Sequence, residues 1–259
     1  SVVDILEKES ISPVLKQINH FNEDQGLLYI STDYGISLYD LNLLQFGDTY
    51  FIGDAGSQIS VNQTAIYEDN IYAACGSNGA IRKGALSNPN LIDYQQWQTI
   101  SAGDFIAIQT VGDKLYTARL NNTINEVVND NIIFLAAYDS PPQDIRSVDS
   151  NLFVTLEDRV FIYDESFNEL QIATTTIDFD TNFTCATSYD GELYIGTSSS
   201  GVLKSVGETY EVILPDGPTG NNAFKIQAED NELYVTYGDY TVSFNPSPIR
   251  SRGISVLRD

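Results

Sequence analysis

One short phrase recurs six times in this chain, at a spacing that leaves few folds open. It is an apolar residue, an aromatic, a run of small or β-branched residues, a polar turn and a further apolar strand. Three copies are Leu28-Tyr29-Ile30-Ser31, Ile71-Tyr72-Ala73-Ala74 and Leu115-Tyr116-Thr117-Ala118. The others are Leu152-Phe153-Val154-Thr155, Leu193-Tyr194-Ile195-Gly196 and Leu233-Tyr234-Val235-Thr236. The aromatics fall at 29, 72, 116, 153, 194 and 234, in steps of 43, 44, 37, 41 and 40 residues. Short strands repeating every ~40–45 residues are the mark of propeller blades. The expectation is an all-β fold, a β-propeller of four-stranded antiparallel blades. Six blades are visible, with seven as the alternative, in one domain over residues 1–259. Such a fold is a scaffold, and residues placed on its faces decide its function.

Each repeat divides into four strands. The third reads as strands at 105–108, 114–119, 123–127 and 132–135. Turns between first and second strands carry Glu68-Asp69-Asn70, Gly112-Asp113, Asp149-Ser150-Asn151, Tyr189-Asp190-Gly191 and Glu229-Asp230-Asn231. Turns between second and third strands carry Asp33-Tyr34-Gly35, Ser77-Asn78-Gly79, Asn121-Asn122, Glu157-Asp158, Ser200-Gly201 and Gly238-Asp239. Gly, Asn and Asp tolerate the positive φ of tight hairpins, so two turn families in fixed order fit an up-and-down blade. The apolar–aromatic pair is expected to pack between neighbouring blades. Residues 86–96 form the longest internal loop. Segments 2–5 and 254–257 read as terminal strands. One of them is expected to complete the outer edge of the last blade and close the ring, because an open propeller exposes a strand edge.

The charge balance removes several classes of partner. With 36 acidic against 13 basic residues the net charge is −23. Such a chain repels phosphate backbones, so no nucleic acid is expected, nor direct docking to an anionic membrane surface. No apolar run approaches the ~20 residues that cross a bilayer as a helix. Cys75 and Cys185 fall in the second and fifth repeats, too far apart around a ring to bond, and are expected as free thiols. The chain holds no Met, even at position 1, so it is expected to be processed or a piece of a longer protein. Its composition, poor in Lys and rich in Asn, Asp, Tyr and Thr, points to an extracytoplasmic, cell-surface setting.

Little in the chain marks catalysis. The one histidine, His20, sits on the expected inner strand of the first repeat and excludes His-cluster metal sites and two-histidine mechanisms. It reads as a satisfied structural side chain. The stretch Asp178-Phe179-Asp180-Thr181-Asn182 has calcium-loop alternation, but Phe183 and Tyr189 stand where Gly and Glu are needed. There is no phosphate-cradling Gly loop and no dinucleotide fingerprint. No cofactor, no metal and no enzyme activity are expected. The candidate ligand or partner face is the set of turns between second and third strands: Tyr34, Asn78, Asn121, Asp158, Asp239 and Tyr240. Tyr34 and Tyr240 are expected to be exposed rings able to stack on sugars or peptides. Among the scarce cations, Arg82-Lys83 and Arg250-Ser251-Arg252 are local clusters, and Arg250 and Arg252 are candidates for an anionic partner.

Residues 28–40, Leu28 to Asp40 with Asp33-Tyr34-Gly35 at the turn, resemble the repeat of two-component-regulator-type propellers, as does Leu193-Tyr194-Ile195-Gly196-Thr197 leading to Gly201-Val202. More specific are Lys16-Gln17-Ile18-Asn19-His20, Asp48-Thr49-Tyr50-Phe51-Ile52-Gly53 and the run from Ile71-Tyr72-Ala73-Ala74 to Asn88-Pro89-Asn90-Leu91-Ile92-Asp93. In that order they resemble the PorZ family of the type IX secretion system of Bacteroidetes, over about residues 14–120. The resemblance implies a non-enzymatic role at the outer-membrane surface beside a PorU-like sortase, in attaching cargo to anionic lipopolysaccharide. It implies further domains around this chain. The negative charge argues against placing the lipopolysaccharide site here, and leaves protein docking as the expected role. The alternative is a glycan- or ligand-sensing propeller of a hybrid two-component regulator. A propeller lyase or glycosidase would need convergent acids, usually with His or a metal.

Overall fold

Each copy of the repeated phrase becomes the second strand of its own four-stranded antiparallel sheet in the computed structural model. The structure describes residues 11–76, 79–174, 181–207, 209–213, 223–229, 232–241, 243, 245–248 and 254–258. Blade 1 holds β1 (Ile18–Asp24), β2 (Leu27–Thr32), β3 (Gly35–Asp40) and β4 (Gln45–Tyr50). Blade 2 holds β5 (Val61–Tyr67), β6 (Asn70–Cys75), β7 (Ala80–Ala85) and β8 (Gln98–Ala102). Blade 3 holds β9 (Phe105–Val111), β10 (Lys114–Arg119), β11 (Thr123–Val128) and β12 (Asn131–Ala137). Blade 4 holds β13 (Asp144–Val148), β14 (Asn151–Thr155), β15 (Arg159–Tyr163) and β16 (Glu169–Thr174). Blade 5 holds β17 (Phe183–Tyr189), β18 (Glu192–Thr197), β19 (Val202–Val206) and β20 (Thr209–Ile213). Blade 6 holds β21 (Ala223–Glu229), β22 (Glu232–Tyr240), β23 (Pro246–Pro248) and β24 (Ser255–Arg258). The four-strand order expected of the third repeat is found; its second strand has the expected bounds, the first and third run further toward the next turn, and the fourth extends past both expected ends.

The chain forms two compact units, Ser1–Val212 and Ile213–Asp259. In the first, the inner strands β1, β5, β9, β13 and β17 pack in succession, as the hubs of adjacent blades do. In the second, β22 pairs with β21 along one side. Along its other side it pairs first with β24, at Glu232 to Val235, and then with β23, at Gly238 to Tyr240. The terminal strand expected at 254–257 is present as β24, which pairs with β22 alone and is the outermost strand on that side among the described residues. Segment 2–5 lies outside the described residues.

Burial follows from strand alternation. The aromatic of the phrase points to one side of its blade and the preceding apolar residue to the other. Tyr29 with Ile36 and Leu38 packs on Ile71, Ala73 and Cys75 of blade 2. Tyr72, Ala74 and Ile81 pack on Ile108 and Leu115 of blade 3. Tyr116 and Ile124 meet Ile145, Leu152 and Val154 of blade 4. Phe153 and Val160 meet Ala186, Leu193 and Ile195 of blade 5. Hydroxyls at the rim of these layers find backbone partners: Tyr116 donates to the Glu165 carbonyl at 2.7 Å and Tyr67 to that of Asp113 at 2.9 Å. Desolvation and nearby carboxylates hold the Tyr116 phenol far above its ordinary range.

The turns are built as the sequence reading requires. Residues Glu68 and Asp69, Asp149 and Ser150, and Asp190 and Gly191 all have positive φ. Each pair supplies a tight reversal between the first and second strands of its blade. The long loop of blade 2 contains a 3-10 turn at Tyr94–Gln96, capped by Asp93, whose carboxylate accepts from the Gln95 N–H. Trp97 closes that loop over the core and donates its ring N–H to the Leu91 carbonyl at 2.9 Å. Cys75 and Cys185 are both free. Burial pushes the Cys75 thiol up to about 12, against a smaller opposing pull from Arg82, so it stays protonated as a core side chain.

His20 departs from expectation. It lies beside a register shift of β1 against β2, and its Nδ1 is buried without a hydrogen-bond partner, as are Asn22 Nδ2 and Ser31 Oγ on the same two strands. It is not a satisfied structural histidine. Burial lowers its pKa from 6.5 to about 4, and the Arg146 charge on β13 adds to the effect. The folded state thus resists protonation that the unfolded chain accepts below pH 6.5. Stability is unaffected above that pH and is lost as pH falls toward 4, by up to about 3 kcal/mol.

Two outcomes are expected. In paired urea unfolding of wild-type and His20→Gln, the stability difference should move in the variant's favour between pH 7 and pH 4.5; a pH-independent difference contradicts the assignment. Gly35 has φ +140°, and a Cβ there would stand 2.3 Å from the Tyr50 carbonyl oxygen. Gly35→Ala is therefore expected to cost about 2–4 kcal/mol, seen as a lower urea midpoint at unchanged m.

Candidate functional site

The turns between second and third strands gather at one end of the blades, together with the connections that lead into the next inner strand. In blade 1 the turn is locked rather than open. Tyr34 is fully buried, its ring 6.3 Å from Phe51 and its hydroxyl 2.7 Å from Ser37 Oγ. The expectation of an exposed stacking ring at Tyr34 is thereby corrected. The chain leaving β4 brings the Phe51 ring against it on the way to blade 2. Neighbouring Asp33 accepts from Asn19 Nδ2 at 2.9 Å and Ser60 Oγ at 2.8 Å, and so joins blade 1 to the start of blade 2.

Asn121 and Asp158 are exposed on their turns. Asp158 receives two hydrogen bonds from Arg159, each 2.8 Å, and these bonds hold its carboxyl below the usual range. Arg159 also reaches Asp139 at 3.0 Å. Asp239 and Tyr240 lie at the end of β22, where only the backbone is described. Asn78, Arg250 and Arg252 lie outside the described residues, as does most of the calcium-like stretch at 178–182. The face therefore brings Asn121 and Asp158 to the surface and withdraws Tyr34 from it.

Blade 3 carries a feature that the sequence reading passed over. A cleft of about 390 Å³ opens between the β8–β9 connection and the β10–β11 turn, lined by Gly103, Asp104, Arg119, Leu120 and Asn121. Arg119 ends β10 opposite Phe105, the first residue of β9. Its guanidinium lies over the Phe105 ring, 4.8 Å from the centroid. Gly103 makes the space: a Cβ at that position would stand 2.5 Å from Arg119 Nη2. Asn121 Oδ1 accepts from Thr123 Oγ1 at 2.8 Å. Sequence reasoning singled out Asn121 from its turn but missed Arg119, which stands alone in sequence. The pairing of Gly103 and Phe105 ahead of Arg119 was the available signal, and it takes its meaning only from the strand register.

The two cationic residues that sequence placed together are taken up internally. Arg82 pairs with Asp54 at 2.7 Å and Lys83 with Asp130 at 2.8 Å. Lys83 also lies 5.3 Å from the centre of the Tyr72 ring, in a cleft of about 460 Å³ shared with Glu68, Glu126 and Asp130. That cleft sits at the opposite end of the blades, by the β5–β6 and β11–β12 turns. Among the described residues no cluster of His, Cys, Asp and Glu is arranged to hold a metal ion. No helix among them is long and apolar enough to cross a membrane.

Comparison with known proteins places this geometry. Residues 1–98 match the family described as TSS9, PorZ, N-terminal beta-propeller domain. No curated protein matches the chain. Among solved structures, PorZ of Porphyromonas gingivalis, described as an essential bacterial surface component of the type-IX secretion system, matches 87% of this chain and 30% of its own. The TM-score is 0.66 at 16% identity. The extracellular domain of the putative hybrid two component system BT4673 from B. thetaiotaomicron matches 93% of this chain and 32% of its own, with TM-score 0.56 at 16% identity. That of BT3049 from the same organism matches 88% and 33%, with TM-score 0.58 at 12% identity. The chain thus spans about a third of the length of these solved proteins. With six antiparallel four-stranded sheets the chain is an all-β protein of propeller fold, and its first 98 residues resemble the PorZ N-terminal propeller family.

Proposed function

We propose that this chain is a non-enzymatic, extracytoplasmic docking scaffold of type IX secretion and cargo attachment. The observation that carries the reading is the match of residues 1–98 to the PorZ N-terminal propeller family. The acid-rich surface supports it by disfavouring nucleic acid and anionic glycan as direct ligands. The partner face is the end bearing the β10–β11 and β14–β15 turns, where Asn121 and Asp158 are exposed on adjacent blades. The partner class implied by resemblance is a PorU-like sortase, with lipopolysaccharide reached through other parts of the assembly. The setting is the cell surface, with the periplasm as the alternative.

A second reading rests on the two hybrid two-component extracellular domains, which cover 93% and 88% of this chain. In it the same face senses a glycan or other small ligand.

The test is a pull-down from Bacteroidetes outer-membrane extract with this chain as bait. Recovery of the sortase-like subunit is expected. Asn121→Arg combined with Asp158→Arg is expected to lower that recovery by about tenfold or more, in keeping with the weight a few interface residues carry. Asp113→Lys, at the opposite end of blade 3, is expected to leave it unchanged. Retention of no secretion component, with binding to a glycan array instead, would replace the first reading with the second.

A further inference from the structure

We propose that the blade 3 cleft receives a single carboxylate group of a partner polypeptide, held by Arg119 and Asn121. This rests on the docking reading above and names the chemistry of one contact within it. The first support is that Arg119 has no carboxylate partner. In a chain with 36 acidic residues, Arg82, Arg146 and Arg159 all form ion pairs, whereas the Arg119 guanidinium, among the described residues, forms none. The residue instead lines a cleft of about 390 Å³, and its guanidinium carries five donors.

The second support is that the guanidinium is held in place before any ligand arrives. It is stacked on Phe105, which is fully buried, and seated on the bare Gly103 backbone. A cation fixed this way loses little freedom on binding. Its planar fork matches a carboxylate through two parallel hydrogen bonds. Asn121 adds a second donor. With Oδ1 engaged by Thr123 Oγ1, its Nδ2 has no protein acceptor among the described residues and shares the cleft with Arg119.

The remaining lining selects the ligand class. Asp104 puts a negative charge into the same cleft, and the chain as a whole carries −23. Both oppose a polyanion and admit one carboxylate set among neutral groups. A sugar acid is disfavoured because no aromatic ring is open to stack on it: Phe105 is buried beneath Arg119, and the lining contains no other ring. Leu120, half exposed at the lip, offers apolar contact to a neighbouring side chain of a peptide.

The test uses the full chain labelled with 15N, following the Arg119 side-chain Nε–H signal. The probes are acetyl-Leu-Glu-N-methylamide, its Gln counterpart and free glucuronate. The expected result is a saturable shift with the Glu peptide in the millimolar range and at least tenfold weaker response to the other two. Arg119→Lys, which keeps the charge and loses the fork, should bind at least tenfold more weakly, and Gly103→Ala should do the same by displacing the guanidinium. Melting curves identify any variant that fails to fold, and Asn121→Ala, on an exposed turn, provides a further variant expected to weaken the Glu peptide alone. Equal response to the Glu and Gln peptides, or a stronger one to glucuronate, overturns the proposal. The pull-down repeated with Arg119→Lys separates the two readings. Undiminished partner recovery sinks this contact while docking stands. A wild-type bait that retains no partner sinks docking, and the titration then decides the cleft alone.

Discussion

Everything in the first unit depends on the burial of the second-strand apolar–aromatic pair between adjacent blades. A four-stranded sheet of this size cannot hide either face alone. Each blade must lend one face to the blade before it and one to the blade after it. Tyr29 against Ile71 and Ala73, Tyr72 against Leu115, and Tyr116 against Leu152 are the same contact repeated with different residues. Polar bonds then fix the register between blades: Asn62 to the Phe105 carbonyl at 2.9 Å, Gln63 to Gln109 at 2.9 Å, and Thr110 to the Ile66 carbonyl at 2.7 Å. Neighbouring blades are therefore tied to one another, and turn residues project from a hydrogen-bonded frame.

That frame explains the distribution of charge. The acidic excess is on the surface, while most described cations are drawn into pairs between or within blades, as Lys83 with Asp130 and Lys204 with Glu192 are. Exposed pairs of this kind add little stability, but they consume the basic side chains that would otherwise attract anions. Arg119 escapes because its nearest neighbours are a ring and a glycine rather than a carboxylate.

Period, strand order and turn positions were legible in the sequence because they rest on local chemistry: alternation, an aromatic at fixed phase, and residues that accept positive φ. The blade assignment followed from them. Exposure at the turns was not legible. Tyr34 sits in a turn like Asn121, yet Tyr34 is buried with Phe51 against its ring while Asn121 is open. His20 differs from expectation in its surroundings, since neither the β1 register shift beside it nor the lack of a partner at its Nδ1 leaves a trace in residue type. The Arg119 cleft depends on a cross-strand neighbour, Phe105, and a glycine sixteen residues earlier in the chain, which only strand pairing brings together.

The central claim is that this propeller presents the end bearing the β10–β11 turn to a polypeptide partner. The most direct test is backbone hydrogen exchange of the chain, free and in the complex it captures from the outer membrane. The account predicts added protection at residues 103–104 and 119–123, with none at the opposite-end turns around 112–113 and 129–130. Protection confined to those opposite-end turns would contradict it.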